Sequence, residues 1–328
     1  MTWTSTVAAP ALLPLSETVY AYVQPDGGWG FSNAGLVASG GEALLVDTQY
    51  TPQMTRHLID AITSAVPGVS VSQVVTTHAN GDHCWGLQLL PDAEVIATAA
   101  SVAHQCREIT PQQMTAMQMA EPTSELIRYV QRHFPFDFTE VEVRQPTRTF
   151  SGSAELAVGS VPVELIEVGP AHTQGDAVVH VPQEGIVFAG DVLFIGAHTV
   201  VWDSIAGCVA ALSRILATGA TRFVPGHGPV VGRSEVAMAR DALEFIAERA
   251  FRHAQSGTPL MIAARRIMRS FLPDWAHPER IYTSVASAYS ESGVDGVPSD
   301  SLSLASGMAE LACWSSTSAV SETMNRND

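Results

Sequence analysis

The chain has 328 residues, enough for one large domain or two small ones, and its apolar fraction of 46% is typical of a globular protein. Charged residues make up only 15% and the formal net charge is −16, so the chain lacks the basic stripe that binds phosphate backbones. This composition argues against nucleic acid as a partner. The low charged fraction is also compatible with a homo-oligomer in which a second copy covers apolar surface.

Cysteine spacing and hydropathy indicate the cellular compartment in which the protein is expected. Residues 8–15 are apolar but are interrupted by Pro10 and Pro14 and have no basic flank, so no signal peptide is predicted. No apolar run approaches the length of a membrane span. No C-x-x-C pair occurs among the four cysteines, which are Cys84, Cys106, Cys208 and Cys313. This spacing favours free thiols in a reducing compartment, so we expect a cytoplasmic protein without membrane contact.

The first third of the chain alternates strand and helix patterns. Strands are predicted at residues 18–23, 35–39, 43–46, 71–77 and 93–97, with turns at Gly27-Gly28 and Gly40-Gly41. Thr51 followed by Pro52 is typical of a helix N-terminus. That helix places four apolar side chains on one face, namely Met54, Leu58, Ile62 and Val66. A second helix is predicted around residues 99–106.

Residues 107–146 are interpreted as a helical insertion. Thr110 and Gln113 form a capping-box pattern at the start of one helix, and a second helical stretch covers residues 124–134. The capping box is followed by Met114, Met117 and Met119. Methionine adapts to irregular apolar surroundings, so these side chains either fill core or contact an apolar ligand.

The second half of the chain returns to strands and ends in helices. Strands are predicted at residues 155–158, 161–168, 177–181, 185–188 and 222–224, and Ser204 is predicted to cap a helix. A long amphipathic helix covers residues 236–250, and a further helical region covers 259–292. The serine-rich remainder, 293–328, is predicted to be largely mobile except for the apolar patch 308–314. We therefore predict a domain at 1–232 and a helical C-terminal extension at 233–328, with a polar tail, packed on that domain.

One short polar segment follows the predicted strand at 71–77 and carries the strongest chemical signal. It places two imidazoles, one carboxylate and one amide within six positions, in the order His78, Asn80, Asp82 and His83. Imidazole nitrogens and carboxylate oxygens are the usual ligands of zinc and related divalent ions. A strand end holds such groups rigidly, so the segment predicts a metal site.

Four further polar residues follow predicted strands in the same manner. Asp47 closes one strand, His172 lies in a Gly/Pro loop, Asp191 ends an apolar strand, and His227 lies in a tight turn. Because each residue follows a strand, all four can converge with the first segment on one sheet edge.

These five features, in this order and spacing over residues 17–232, resemble the sequence motifs of the metallo-β-lactamase superfamily. The segment beginning at His78 matches the signature His-x-His-x-Asp-His, with Asn80 at the position of the second histidine. The resemblance implies an α/β fold, a four-layer αβ/βα sandwich with the metal site at one edge of two facing sheets.

The resemblance also implies a ligand set. His78, Asn80 and His172 would face the first metal, whereas Asp82, His83 and His227 would hold the second. Asp191 would bridge both metals. Asp47 would support a ligating imidazole, because such rings need a partner that fixes their tautomer.

Asn80 leaves the occupancy of the first metal position open, because an amide oxygen is a weaker zinc ligand than imidazole. Three outcomes are open. Both metal positions are filled, with Asn80 as a poor or water-mediated ligand; only the second position is filled; or the altered ligand set favours iron or manganese over zinc. The expected cofactor is accordingly one or two zinc ions, with iron or manganese as alternatives.

Several residues near the motifs are further candidates. His198, seven positions after Asp191, is a candidate catalytic residue that would contact substrate or replace the missing ligand. Cys84 follows the motif and either acts beside the metal or fills space as a small buried side chain. Three tryptophans either line a pocket or pack in the core, namely Trp29, Trp85 and Trp202.

The resemblance implies a hydrolase in which metal-bound hydroxide attacks an electrophilic carbonyl and Asp82 orients the nucleophile and transfers a proton. The expected substrate is a small, partly apolar ester, lactone or thioester. Two alternatives from other classes remain: an iron-dependent oxidoreductase on the same fold, and a non-catalytic binding protein.

Overall fold

Two β-sheets carry most of the buried aliphatic side chains. The computed structural model describes residues 9–24, 28–271 and 275–324, with side chains as far as residue 317. The predicted turn residue Gly27 lies outside the described residues. In the described part of the chain the first sheet holds seven strands in sequential order, which are β1 (Ala11–Pro14), β2 (Val19–Val23), β3 (Ala34–Ser39), β4 (Glu42–Val46), β5 (Ser70–Val75), β6 (Glu94–Thr98) and β7 (Arg148–Phe150). Strands β1 to β4 pair antiparallel, and β4 to β7 pair parallel.

The second sheet has the order β12-β11-β10-β9-β8. Its strands are β8 (Ser153–Val158), β9 (Val161–Glu167), β10 (Ala177–Val181), β11 (Ile186–Phe194) and β12 (Arg222–His227). Only β11 and β12 pair parallel; the others pair antiparallel. Parallel pairs in both sheets therefore bring the carboxyl ends of β4, β5, β11 and β12 towards one edge.

Helices cover the outer face of each sheet. In chain order they are α1 (Pro52–Ala65), α2 (Gly81–Cys84), α3 (Ala99–His104), α4 (Pro111–Met119), α5 (Glu125–His133), α6 (Ile205–Ala217), α7 (Arg233–Gln255), α8 (Leu260–Ser270), α9 (Ile281–Glu291) and α10 (Ser301–Met324). The side chains of Thr51, Thr110 and Ser204 each accept a backbone hydrogen bond at the N-terminus of the helix they precede, which confirms the predicted caps, and Ser124 does the same for α5.

Three apolar clusters separate four layers. The first lies between the two sheets and includes Val37 and Val46 from one sheet and Leu165 and Phe188 from the other. The second lies between the first sheet, α1 and the insertion. The third lies between the second sheet and the helices α6 to α10. This layering confirms the predicted αβ/βα sandwich.

The insertion forms α4 and α5, which pack on the outer face of the first sheet. Met114 is buried there, whereas Met119 is 83% exposed and belongs to no apolar cluster. The methionines therefore divide between core and surface.

The serine-rich C-terminal region differs from its prediction. Composition favoured a largely mobile segment, yet residues Ser301–Met324 form α10. Leu304, Met308 and Leu311 are almost fully buried and share one helix face. They join the cluster beneath the second sheet, so burial of this apolar face stabilises the helix.

The end of β11 also differs from its prediction. The strand was expected to end at Asp191, but it continues to Phe194. Gly190 has a positive φ of 54°, and the pairing with β12 shifts register on both sides of it. The strand therefore bends at Asp191, which aims this carboxylate at the sheet edge without ending the strand.

No helix in residues 9–24, 28–271 and 275–324 is both long enough and apolar enough to cross a bilayer. The four cysteines carry free thiols, as their spacing predicts.

Candidate metal centre

Strand ends and one short helix bring the candidate ligands together. His78 follows β5, Asp82 and His83 lie in α2, Asp191 lies in the bend of β11, and His227 ends β12. Two groups of donor atoms result, each within 4.8 Å: His78, His172 and Asp191 in one, and Asp82, His83 and His227 in the other. The first group holds His78 and His172, which the resemblance assigns to the first metal, together with Asp191, and the second holds the three residues that it assigns to the second metal.

Asp191 lies between the two groups. Its Oδ1 is 3.0 Å from His83 Nε2, and its Oδ2 is 3.5 Å from the Nε2 atoms of both His172 and His227. The Nε2 atom of His78 lies 3.9 Å from the same Oδ2. One carboxylate therefore contacts four imidazoles, as expected of a ligand shared between two metals.

Asp47 fixes the orientation of His83. The Nδ1–H of His83 donates to Asp47 Oδ2 at 2.8 Å, which leaves Nε2 with a free lone pair. Asp47 has a positive φ of 63° and also accepts from the backbone N–H and hydroxyl of Thr77 at 2.7 and 2.8 Å. Because that hydroxyl donates to Asp47, it accepts from His78 Nδ1 at 3.0 Å. A single carboxylate thus sets the tautomer of two imidazoles.

His172 and Asn80 face each other with two acceptor atoms. The Nδ1–H of His172 donates to the carbonyl of Val200 at 2.8 Å, so a neutral ring has only a lone pair at Nε2. That Nε2 lies 2.8 Å from Asn80 Oδ1, which also accepts only. Two lone pairs at this distance repel unless a cation lies against both. The pair therefore fits a shared metal ion.

Glu108 holds the amide of Asn80 in this orientation. Asn80 Nδ2 donates to Glu108 Oε2 at 2.7 Å, so Oδ1 points away from Glu108 and towards His172. Burial raises the pKa of Glu108 to about 7; the bond from Asn80 opposes this shift and the charge of Asp82 adds to it. Glu108 belongs to the insertion, and its position in the sequence gave no sign of this contact.

Unsatisfied buried atoms support metal binding by these residues. His78 Nε2 and His227 Nδ1 are buried without a hydrogen-bond partner, and His83 Nε2 and Asp191 Oδ1, which lie 3.0 Å apart, have no other partner. Buried polar atoms are nearly always paired, and all four atoms belong to residues of the two donor groups. Imidazole and carboxylate donors of this kind suit zinc, iron or manganese, so the residues present fit a metal cofactor.

Electrostatics divides the imidazoles into two kinds. Burial lowers the pKa of His172, and it lowers that of His78 well below the usual value. Burial also opposes protonation of His83 and His227, but the charge of Asp191 and its neighbours raises the pKa of both. The pKa of Asp191 is raised by burial but held well below its usual value by His227 and His83. The two groups therefore differ in how readily their imidazoles hold a proton in the absence of metal.

A glycine makes room for Asp191. A Cβ added at Gly226 would overlap Asp191 Oδ1, and one added at Gly190 would lie 2.6 Å from the Thr77 hydroxyl. Gly226 therefore lets β12 approach β11 closely beside the cluster, and Gly190 lets β11 approach Thr77.

A large apolar cavity opens beside the cluster. Its volume is about 910 Å³ when counted to its open mouth, which suits a small molecule. Asn80, Asp82, His172, Asp191 and His227 line it on the metal side. The remaining lining is largely aromatic and aliphatic and includes Trp29, Trp85, Met114, Met117, Tyr129, Phe134, Phe194 and Trp202. Three tryptophans and two methionines singled out in the sequence thus contact this space.

Arg280 lines the same cavity and carried no sequence signal. It is fully buried, and its guanidinium lies 4.0 Å from the ring centroid of Trp29 and 5.5 Å from that of Phe194. Phe194 in turn stacks on the imidazole of His227, with ring centroids 4.9 Å apart. Only the folded chain brings Arg280, which precedes α9, beside a ligand from β12.

The structure places His198 apart from these residues. Its ring packs on Phe271 at 4.6 Å and on Trp275 at 5.6 Å, and it is not among the residues that line the cavity. Burial and the nearby charge of Arg280 lower the pKa of His198 to about 4. Its catalytic role stays a prediction without a contact to support it. Cys84 is buried and donates to the carbonyl of Ala79 at 3.4 Å, which suits a small core side chain.

Comparison with known proteins agrees with this geometry. The family described as the Metallo-beta-lactamase superfamily matches residues 27–227. A Beta-lactamase-like protein 2 homolog of Caenorhabditis elegans is 25% identical over 204 residues, covering 62% of this chain and 57% of the relative. The alpha subunit of 2,4-dinitroanisole O-demethylase from Nocardioides sp. (strain JS1661) is 27% identical over 188 residues, covering 56% and 48%. The match therefore spans about half the length of these relatives.

Solved structures share the fold. The sec-alkylsulfatase Pisa1 from Pseudomonas sp. superposes with a TM-score of 0.65 at 16% identity, covering 86% of this chain and 50% of that one. At this identity the likeness shows the architecture alone.

Proposed function

The chain belongs to the metallo-beta-lactamase superfamily, and on that basis we propose that it is a metal-dependent hydrolase that cleaves an ester, lactone or thioester of a small, partly apolar substrate. The main support is the convergence of the imidazole donors on Asp191 at the wall of an apolar cavity. A net charge of −16 and the aromatic lining favour such a molecule over nucleic acid.

A divalent cation held by these residues would lower the pKa of a bound water to about 7 and so would make hydroxide available at neutral pH. Zinc is the proposed ion at both positions, with Asn80 and its partner Glu108 completing the first.

Asp82 is the proposed catalytic carboxylate. Burial raises its pKa, but the neighbouring His83 and His227 outweigh burial and lower it, so the group is ionised at neutral pH. Its Oδ2 lies 3.3 Å from His227 Nε2, and its side chain keeps 16% exposure at the cavity wall. This position suits a group that orients the attacking water and passes its proton to the leaving group.

Alanine substitution tests these assignments. We expect Asp82→Ala and His83→Ala each to abolish hydrolysis of nitrophenyl esters by the purified, zinc-loaded protein. His57→Ala and Asp60→Ala remove the same side-chain types from α1 outside the site and should leave turnover unchanged. Substantial activity in either site variant would refute the assignment.

Metal content distinguishes the proposed hydrolase from its alternatives. We expect about two zinc ions per chain by elemental analysis after expression in unsupplemented medium. Mostly iron, together with oxygen consumption, would instead support the oxidoreductase, and a metal-free, inactive protein would support a binding function.

A further inference from the structure

Arg280 is a buried cation without a hydrogen-bond partner. Its Nε, Nη1 and Nη2 atoms are all buried, and none of them meets an acceptor in the described structure. Other arginines show the contrast, because they donate to backbone carbonyls: Arg144 donates to those of Leu90 and Ala93, and Arg214 donates to that of Glu167. Arg280 therefore does not serve as a clamp on backbone.

The direct contacts of the Arg280 guanidinium are aromatic rings, and nearby carboxylates act on it only from a distance. Its guanidinium lies over Trp29 and beside Phe194, at the distances given above. The adjacent carboxylate of Glu279 accepts from Tyr129 at 2.7 Å and lies 3.3 Å from His277 Nδ1, and it forms no ion pair with Arg280. An unpaired buried charge is strongly unfavourable, so its position requires a compensating ligand or function.

Arg280 lines the cavity, so a ligand in the cavity can contact its charge. Of the described residues that line it, Arg280 is the only arginine or lysine. Asp191 and His227 line the same space, and Phe194 touches both His227 and Arg280. A small molecule that occupies the cavity would therefore meet the metal centre and the guanidinium at the same time.

We propose that Arg280 binds a carboxylate carried by the substrate, and that the apolar body of the substrate fills the cavity between this carboxylate and the metal centre. The identity of the bond cleaved rests on the proposed function, whereas the anion site does not. A guanidinium matches a carboxylate with two parallel N–H donors, which suits a planar anion of single charge. The substrate class is then an acidic ester, lactone or thioester rather than a neutral one.

A pair of fluorescent probes tests the anion site without turnover. Anilinonaphthalene sulfonate and N-phenylnaphthylamine share an apolar body and differ by one negative charge. We expect the zinc-loaded wild type to bind the sulfonate more tightly. Arg280→Met should lower the affinity for the sulfonate probe by about tenfold to a hundredfold, the loss expected for hydrogen bonds to a charged group, and should leave the affinity for the neutral probe unchanged.

Stability separates recognition from a structural role. Arg280→Met removes an unpaired buried charge, so its Tm should equal or exceed that of wild type. A lower Tm with unchanged probe affinities would overturn the proposal in favour of ring stacking on Trp29. Arg280→Lys replaces it as the test variant if Arg280→Met does not fold. It keeps the charge but lacks the forked donors, so we expect an intermediate affinity for the sulfonate probe. Arg252→Met, at an exposed position on α7, is the matched control and should change nothing.

Competition identifies the anion. We expect decanoate to displace the sulfonate probe from wild type, and we expect this displacement to weaken in Arg280→Met. Displacement by decyl sulfate but not by decanoate would overturn the carboxylate assignment and indicate a sulfate site. Equal displacement by decanol would show that charge plays no part.

Turnover then separates the two proposals. Nitrophenyl adipate carries a free carboxylate, and nitrophenyl hexanoate is its neutral counterpart. We expect Arg280→Met to raise KM for the adipate alone. Hydrolysis of both esters with no dependence on Arg280 would refute the anion site and leave the hydrolase intact. Binding that depends on Arg280 without hydrolysis of either ester would support the anion site and refute the hydrolase.

Discussion

Asn80 contacts His172 through its amide oxygen and Glu108 through its amide nitrogen, and this arrangement explains how an amide can serve as a metal ligand. Its Oδ1 faces His172 Nε2 at 2.8 Å, while its Nδ2 donates to Glu108 at 2.7 Å. An amide can rotate about its terminal bond, so without Glu108 either atom could face the metal. The carboxylate therefore makes Asn80 an oxygen donor rather than an N–H donor.

Removing Glu108 should weaken the first metal position. We expect Glu108→Ala to lower its zinc affinity by about 10- to 100-fold, because residues that orient a ligand typically contribute that much. A two-site competition titration with a chromophoric chelator measures both affinities. Glu108→Gln retains an acceptor for Asn80 and should lose less. An equal loss at both positions would contradict this account.

Metal uptake should release protons at neutral pH. The carboxylates around His83 and His227 raise the pKa of both imidazoles, so without metal both hold protons to a higher pH than usual. Zinc must displace these protons, and its affinity should fall as the pH falls through the raised pKa values. Calorimetry in buffers of different ionisation enthalpy measures the release. Heats independent of the buffer would contradict the prediction.

Residues of the site differ in how visible they are in the sequence. His78, Asp82, His83 and His227 each follow a strand pattern closely, so local spacing sufficed to identify them as candidates. Arg280 carries no such mark, because its importance arises from tertiary contacts with Trp29 and Phe194. His198 shows the converse: its spacing after Asp191 suggested the site, but its ring packs against Phe271.

At the scale of elements, the close approach of β11 and β12 shapes the centre. The bend at Gly190 turns Asp191 towards the ligands, and Gly226 leaves space for its carboxylate. Both strands were predicted, but shorter than observed, because the glycines that bend them also interrupt the apolar pattern. The bend is therefore the part of the strand that sequence patterns describe least well.

Gly226→Ala should displace Asp191. The added Cβ would overlap Oδ1, so the carboxylate or the strand must move. We expect loss of metal and at least about a hundredfold lower turnover, because small displacements of catalytic groups have effects of that size. Elemental analysis and ester hydrolysis measure both. Gly232→Ala, where the new Cβ makes only ordinary contacts, is the control; full metal content in Gly226→Ala would contradict the prediction.

Helix α10 shows how tertiary contacts override composition. Its serine content favoured a mobile tail, whereas Leu304, Met308 and Leu311 bury one face against neighbouring helices. The apolar patch 308–314 was visible in the sequence, but its partner surface was not. Helix formation there depends mostly on packing rather than on intrinsic propensity.

At the scale of the whole molecule, the C-terminal helices support the metal ligands. Thr283 in α9 accepts from the backbone N–H of Val201 at 2.9 Å, and Ser287 accepts from that of Ile205 at 2.8 Å. The neighbouring carbonyl of Val200 accepts from His172. One helix thus positions the loop that orients a ligand.

Thr283→Val should weaken this support. It keeps the shape of the side chain but leaves the buried N–H of Val201 without an acceptor, at a cost of about 1–3 kcal/mol. We expect that loss in urea denaturation, together with weaker zinc binding at the position of His172 alone. Ser213→Ala, which removes an exposed hydroxyl from α6, should alter neither quantity. If Thr283→Val is less stable but keeps the metal affinity of wild type, the contact from α9 does not position His172, and the prediction is wrong.

The placement of Arg280 has an evolutionary consequence. The family match ends at residue 227, so the histidine and carboxylate donors lie within it, whereas Arg280 and the α10 side of the cavity lie beyond it. A substitution beyond residue 227 can therefore change which compounds bind while every histidine and carboxylate donor is kept. A library randomised at residues 280, 301, 302, 305 and 308 would sample new selectivities on an unchanged catalytic apparatus.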